Sequence, residues 1–276
     1  MDIEVLLSTM NLRNKEELIK LIRKMNIKTN VLIINQITEK IPIWNYEEGN
    51  IRLYSYLEKG LSKSRNKALD KAKGEILVLA DDDIQYKDNY AETILNAYNN
   101  KKDADIIAFN IETVGNRKAR KQKSHKINWI TAMQIQSTQI TLRKNLIDNI
   151  NIKFNELFGS GSIYTMGEEN IFLYDCLKEK RKLYCIDKDI GKVIHKKSNW
   201  FKGYTNNFFI SEGAVFYEIS KNFYIILIIQ YAIRKRKLYK TENSFINSIK
   251  YMLKGATSYA RYKKLRGISK YNSSNI

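Results

Sequence analysis

Residues 60–86, GLSKSRNKALDKAKGEILVLADDDIQY, decide how this chain is read. Their first half has helical spacing: Leu61, Ala68, Leu69 and Ala72 recur on one face, with cationic side chains between them. Ser62 or Ser64 is placed to cap the helix start. Gly74 breaks the pattern, and residues 76–80 (ILVLA) form an unbroken apolar run. Such a run suits a strand covered on both faces of a sheet. Asp81, Asp82 and Asp83 then stand at the strand's C-terminal end, the edge where open α/β sheets bind ligands. Three adjacent carboxylates repel one another, and a divalent cation relieves the repulsion. Hard oxygen donors suit Mg2+ or Mn2+, which in turn hold phosphates. A solvated acidic turn is the plainer reading of the same residues.

The flanking sequence continues the alternation of strand and helix. Residues 3–7, 31–34, 51–54 and 106–109 predict strands, and residues 15–25 and 87–99 predict helices. In the first helix Leu18, Ile19, Leu21, Ile22 and Met25 make one apolar face. This order argues a mostly parallel sheet. Residues 38–50 read as a loop. Residues 127–143 read as two strands, or a strand and a bend, from the alternation of Ile135, Ile140 and Leu142. Residues 155–165 (NELFGSGSIYT) read as a flexible loop at the mouth of a pocket; they lack the Gly-Lys-Ser/Thr of a P-loop. Gly167 opens a helix whose buried face is Ile171, Phe172, Leu173, Cys176 and Leu177. Glu168 and Glu169 at its start are favoured by the helix dipole alone. Residues 182–186 and 190–194 read as two late strands. Residues 207–220, the apolar run 223–233, and a segment with Phe245, Ile249, Met252, Leu253, Ala256 and Ala260 on one face read as helices.

The distribution of charge matters more than its total of +19 over 276 residues. Residues 1–110 are neutral, residues 111–220 carry +7, and residues 221–276 carry +12. A neutral front and a basic rear suggest a catalytic sheet and a surface facing polyanions, whether lipid, nucleic acid or phosphate-bearing substrate. Residues 116–126 hold six Lys/Arg and His125 without apolar periodicity, which reads as a mobile loop able to order over phosphate. Two cysteines, Cys176 and Cys185, lack metal spacing and suit a reducing cytosol. No signal-peptide pattern opens the sequence. The longest apolar run, residues 223–229, is far shorter than the roughly 20 residues of a membrane span. The expected location is cytoplasmic, with the basic C-terminal helices packed on the catalytic domain or resting on the inner face of the plasma membrane.

With these residues in view, the chain resembles the family 2 glycosyltransferases, inverting enzymes of the GT-A fold. GLSKSRNKALDKAKGEILVLADDDI follows that family's order: a Gly, a small-Arg-Asn triplet, a helix ending Ala-x-Gly-Glu, an apolar strand and an Asp-x-Asp metal motif. Gly167, Glu168 and Glu169 resemble its Gly-Glu-Asp segment. The resemblance covers about residues 2–200. It implies an α/β GT-A domain over residues 1–200, a mixed, mostly parallel sheet flanked by helices, followed by a basic helical extension over residues 201–276. It implies a nucleotide-sugar donor, a UDP-sugar in particular. The acceptor would be a hydroxyl of a glycan or lipid-linked oligosaccharide, in capsule or other cell-surface polysaccharide synthesis.

Donor contacts are implied at Ser8, Thr9 and Asn11, in STMN where the family has a Pro-x-Tyr-Asn type of sequence. Others are implied at Asn35, where the family places an Asp, and at Arg65, Asp81 and Asp82. Aligning LADDDI with the family's strand puts Ala80 at the motif's first Asp. The resemblance then implies Mn2+ or Mg2+ at Asp82 with Asp83, and at His195 after the late strands. Glu169, one methylene longer than the family's Asp, is implied as general base, with Glu168 as the alternative. Two rival readings stay open on the residues alone. One is a nucleic-acid-binding protein, from a pI of about 9.6 and the basic tail, although no helix-turn-helix, zinc or RRM signature supports specific recognition. The other is a non-catalytic GT-A scaffold acting as a partner subunit.

Overall fold

Alternating apolar runs near the N-terminus build the centre of the sheet, and the computed structural model describes residues 1–114, 121–150, 152–194 and 201–267. The chain runs β1 (Ile3–Met10), α1 (Lys15–Met25), β2 (Asn30–Gln36), β3 (Tyr46–Glu48), β4 (Ile51–Tyr56), α2 (Leu61–Lys71), β5 (Ile76–Asp81) and β6 (Ile84–Tyr86). It continues through α3 (Tyr90–Asn100), β7 (Ile106–Val114), β8 (His125–Lys126), short 3-10 turns at Thr131–Gln134 and Ser137–Gln139, β9 (Ile140–Arg143) and α4 (Lys144–Ile150). Then come α5 (Glu168–Lys178), β10 (Leu183–Ile194), α6 (Asn206–Ile219), α7 (Tyr224–Tyr239) and α8 (Phe245–Leu265).

The strand order is β3-β4-β2-β1-β5-β9-β7-β10-β6, with β8 beside β10. Strands β1, β2, β4 and β5 are parallel, as are β7 and β10, and β9 runs antiparallel between β5 and β7. Alternate residues of each strand face opposite sides. Val5, Ile33 and Val78 pack with Leu18, Ile22, Ile94 and Tyr98 of α1 and α3. Leu6, Leu32 and Leu79 face Leu69, Phe172, Val215 and Tyr259 of α2, α5, α6 and α8. The chain steps outward from β1 to β2 and β4, then returns to the other side of β1 as β5. That reversal opens a crevice at the C-terminal ends of β1 and β5.

Two close approaches shape this edge. The Glu4 carboxylate accepts the N–H groups of Lys73 (2.6 Å) and Gly74 (3.0 Å) and pairs with Arg52. A Cβ at Gly74 would lie 2.6 Å from that of Glu4, so the glycine after α2 lets β5 start flush against β1. At the other end, Gly191 of β10 lies against β6, where a Cβ would meet the Gln85 carbonyl oxygen at 2.8 Å. Val193 thereby pairs with Ile84, the residue after the three aspartates.

Several expectations change. Residues 46–48, read as loop, form the edge strand β3. Of residues 127–143, read as two strands or a strand and a bend, Ile140–Arg143 pair as a strand. Asn128 Oδ1 accepts the N–H groups of Ile130 and Thr131, and Gln136 and Gln139 bond each other's backbone, which holds the preceding stretch in 3-10 turns. The two late strands are one, β10, whose register slips between Ile186 and Gly191. Of the expected mobile loop, residues 116–120 lie outside the described residues. Residues 121–126 are tied down: Gln122 exchanges two hydrogen bonds with Asn110, Ser124 Oγ accepts from Asp187 N–H, and β8 pairs with β10.

The C-terminal helices share the core beneath α5. Gly167 has φ +83°, and a Cβ there would lie 2.4 Å from Val215 Cγ2, so α6 abuts the first turn of α5. Helices α6 and α8 cross backbone to backbone. A Cβ at Gly213 would lie 1.8 Å from the Met252 oxygen, and one at Gly255 would lie 1.9 Å from the Ile210 oxygen. Rigid carbonyls cannot yield as side chains do. Gly255→Val is therefore expected to lower stability by about 3 kcal/mol or more in urea unfolding, whereas Gly49→Asn, in open space with a left-handed backbone that Asn tolerates, should change it by less than about 1 kcal/mol.

Candidate active site

Helix α2 turns Ser64, Arg65 and Asn66 into the protein, and each is bonded to a different part of the fold. Ser64 Oγ donates to Ser8 Oγ on β1 (2.8 Å). Asn66 clamps the Phe154 backbone, donating to its carbonyl (2.9 Å) and accepting from its N–H (2.8 Å). Arg65 is buried, and its guanidinium forks: Nη1 donates to Glu168 Oε1 at 2.8 Å and Nη2 to Asp81 Oδ1 at 3.1 Å. The Phe154 ring lies 5.5 Å from the guanidinium. A planar fork has fixed geometry, so this side chain sets the spacing between the end of β5 and the start of α5. Burial alone would lower its proton affinity; the charges of Asp81, Glu168 and Glu169 outweigh burial and raise it.

The loop after Phe154 closes onto the start of α2. Leu61 N–H donates to the Ser160 carbonyl (2.9 Å), and Ser62 Oγ donates to that of Phe158 (2.7 Å). The helix is thus capped by loop backbone around Gly60. Ser62 and Ser64, expected as caps, are instead buried within the helix. Gly159 has φ +102°, and a Cβ there would come within 3.1 Å of Glu168 Cδ and 3.2 Å of Ser62 Oγ. Only glycine lets the loop approach the carboxylate this closely.

At the acidic turn, Asp82 is exposed and its Oδ2 accepts from Thr9 Oγ1 at 2.9 Å, while Asp83 is partly buried. Across the guanidinium, α5 presents Glu168 and Glu169 in its first turn. Glu168 is buried and ion-paired with Arg65. Its carboxylate holds the Arg65 guanidinium. The Glu169 carboxyl is pushed up to about 8, first by burial and next by the charge of Glu168, against the lowering effect of Arg65.

The structure thus brings Arg65, Asp81, Asp82, Thr9, Glu168 and Glu169 together, and it corrects several donor contacts. Asn35 is fully buried; its Oδ1 accepts from Leu12 N–H (3.0 Å) and its Nδ2 donates to the Leu12 carbonyl and Ser55 Oγ. With both ends of the amide engaged, it is not placed to read a base edge. Ser8 is committed to Ser64 and Thr9 to Asp82. Asn11, with φ +56°, holds the next loop by accepting from Thr38 N–H at 2.8 Å. Asp81 is engaged by Arg65 rather than open to a donor. Sequence reasoning passed over Ser62, Asn66 and Gly159. The triplet SRN marked Asn66 and the glycine-rich loop marked Gly159, while Ser62 was read only as a helix cap; the pairing between those segments was not visible.

His195 lies outside the described residues. Among the described residues no group of three His, Cys, Asp or Glu side chains gathers as a metal site. Mg2+ is commonly held by one or two carboxylates with substrate phosphates completing its shell. The exposed Asp82, with Asp83 beside it, fits that thinner donor set.

Two outcomes follow from this geometry. Arg65→Met leaves two carboxylates around a buried apolar side chain and is expected to cost roughly 3–5 kcal/mol in urea unfolding, with Arg65→Lys intermediate because it keeps charge without the fork. For Glu169, a folded-state proton affinity raised above the unfolded value stabilises the protein in acid, and that contribution is lost as pH rises from the ordinary carboxyl range through about 8. Glu169→Gln should therefore melt close to the native chain at pH about 4.5, and progressively higher than it toward pH about 8. A constant difference across that range would overturn the assignment.

A sequence model described as glycosyl transferase family 2 matches residues 34–164, the segment holding Arg65 and the three aspartates. No curated protein sequence matches the chain. Among solved structures, residues 1–349 of Staphylococcus aureus TarS in complex with UDP-GlcNAc align with a TM-score of 0.62 at 14% identity, covering 97% of this chain and 92% of that one. The same protein in complex with UDP gives 0.59 at 14% identity over 100% and 94%. Full TarS gives 0.58 at 15% identity over 87% of this chain and 44% of that one. The fold likeness takes in the C-terminal helices as well as the sheet. Residues 34–164 are thus similar to glycosyl transferase family 2, and the chain as a whole carries the GT-A fold.

Proposed function

We propose that this glycosyltransferase moves a sugar from a UDP-sugar to a hydroxyl of a glycan or lipid-linked oligosaccharide, with inversion, in capsule or other cell-surface polysaccharide synthesis. The observation that carries this reading is the Arg65 fork, which holds the acidic turn and the Glu168–Glu169 turn on either side of one guanidinium. The nucleotide diphosphate lies at the C-terminal ends of β1 and β5, and the TarS complexes with UDP-GlcNAc and with UDP support the choice of a UDP-sugar donor.

Asp82 and Asp83, with His195 as a third donor, would hold Mn2+ or Mg2+ there; the cation supplies charge stabilisation for the departing diphosphate. Glu169 accepts the proton of the acceptor hydroxyl. The oxygen attacks the anomeric carbon as the bond to the diphosphate breaks, and UDP leaves with the bonding pair. A carboxylate whose proton affinity is raised toward neutrality is a stronger base than a solvated one. Glu168 and Arg65 hold α5 in register with β5 so that base and donor share one cleft. Acting on such acceptors, the enzyme would work in the cytoplasm, at the inner face of the plasma membrane.

Calorimetry with UDP and UDP-sugars, with and without Mn2+, tests this directly. UDP binding is expected to strengthen with Mn2+, and Asp82→Asn should lose the metal-dependent part. Glu169→Gln should keep UDP binding yet lose at least about 100-fold in transfer to acceptor. Failure of every nucleotide diphosphate to bind, or full turnover by Glu169→Gln, would sink the proposal.

A further inference from the structure

Helix α7 is used by the rest of the molecule on one side only. Ile228, Ala232 and Tyr239 are buried against α6 and α8. On the opposite side stand Ile226, Ile229 and Ile233, spaced three and four residues apart and 62%, 44% and 61% exposed. Phe223 and Ile225, at 60% and 49%, widen the strip. Single exposed apolar residues are ordinary, but a contiguous strip of five marks an interaction surface. Beyond Ile233 the same face turns cationic: Arg236, Lys237 and Lys240 are exposed, and Lys221 stands at the other end. No Asp or Glu occurs between Glu218 and Glu242.

We infer that this face of α7 docks on an anionic lipid bilayer. The isoleucines and Phe223 enter the boundary between headgroups and acyl chains, and the cations engage lipid phosphates. Helix α7 has 16 residues, and among the described residues no helix is long and apolar enough to cross a membrane; the helix lies in the interface. Charge separates this occupant from the others. A second copy would bring two strongly cationic surfaces together, since residues 221–276 net +12 and residues 219–241 hold no carboxylate to answer them. Nucleic acid needs cations at the centre of its contact, where isoleucines stand here. An anionic membrane offers an apolar interior beneath a negative surface, which matches both halves of the strip.

The test is co-sedimentation of the full chain with vesicles of phosphatidylcholine alone, or mixed equally with phosphatidylglycerol, at low and high salt. Binding to the mixed vesicles is expected to be at least about tenfold tighter than to phosphatidylcholine, and to weaken with salt. The triple variant Ile226→Ser, Ile229→Ser, Ile233→Ser should lose about tenfold or more in partitioning. The triple variant Arg236→Gln, Lys237→Gln, Lys240→Gln should lose the preference for phosphatidylglycerol. These side chains are exposed, so unchanged circular dichroism and melting verify that each variant is folded. Three results overturn the inference: native chain that stays in solution with the mixed vesicles, an isoleucine variant that pellets as the native chain does, or a native dimer that the isoleucine variant abolishes without vesicle binding. Vesicle binding is read without substrate, so its failure leaves the sugar-transfer reading untouched.

Discussion

A guanidinium cannot be buried without partners. Removing such an ion from water costs several kcal/mol even after relaxation, and only well-placed counter-charges offset it. Arg65 meets this demand with one oxygen from Asp81 and one from Glu168, residues far apart in sequence. Because the fork is planar and rigid, satisfying it fixes the end of β5 relative to the start of α5. The surrounding bonds serve the same end. Asn66 clamps Phe154 below the guanidinium, Ser62 ties down Phe158, and Gly159 lets that loop press on the Glu168 carboxylate.

The same ion pair divides the labour between two adjacent glutamates. Glu168 is the one the Arg65 guanidinium reaches. Glu169 has the burial and the repulsion of its neighbour without a guanidinium of its own, and its proton affinity rises. Neighbouring residues with identical side chains thus stand in different surroundings, set by which one the fork reaches. The arrangement is unfavourable to the fold near neutral pH, a common feature of sites whose chemistry needs a strained charge.

Much of the sheet was legible because its signals are local. The run ILVLA, the helical spacing before it and the glycine at Gly74 each depend on a few neighbouring residues. The site was legible as a set of residue types, Arg65, the aspartates and the paired glutamates, but not as a set of partners. Ser62 and Ser64 are good caps by local chemistry, yet tertiary contacts with Phe158 and Ser8 take their hydroxyls. Asn35 has the right chemistry for a base edge, yet the Leu12 backbone fills both ends of its amide. The single bent strand β10 read as two because its register slip introduces Asp187, Lys188 and Asp189, and polar residues in mid-strand look like a loop.

The C-terminal helices show the same limit at a larger scale. Residues 223–233 are apolar all round, so periodicity cannot say which side is buried. The choice is made by Gly213 and Gly255, whose missing side chains let α6 and α8 meet backbone to backbone and leave α7 to pack by one face alone. Helix α6 in turn presses Val215 against Gly167, the residue before the two glutamates. The basic, isoleucine-lined face and the turn that carries Glu168 and Glu169 are therefore joined through one helix packed against both, with a contact at Gly167 too tight to admit even a methyl group. A surface that settles α7 on a membrane would for that reason also fix the orientation in which α5 presents Glu169 to an acceptor arriving from that membrane.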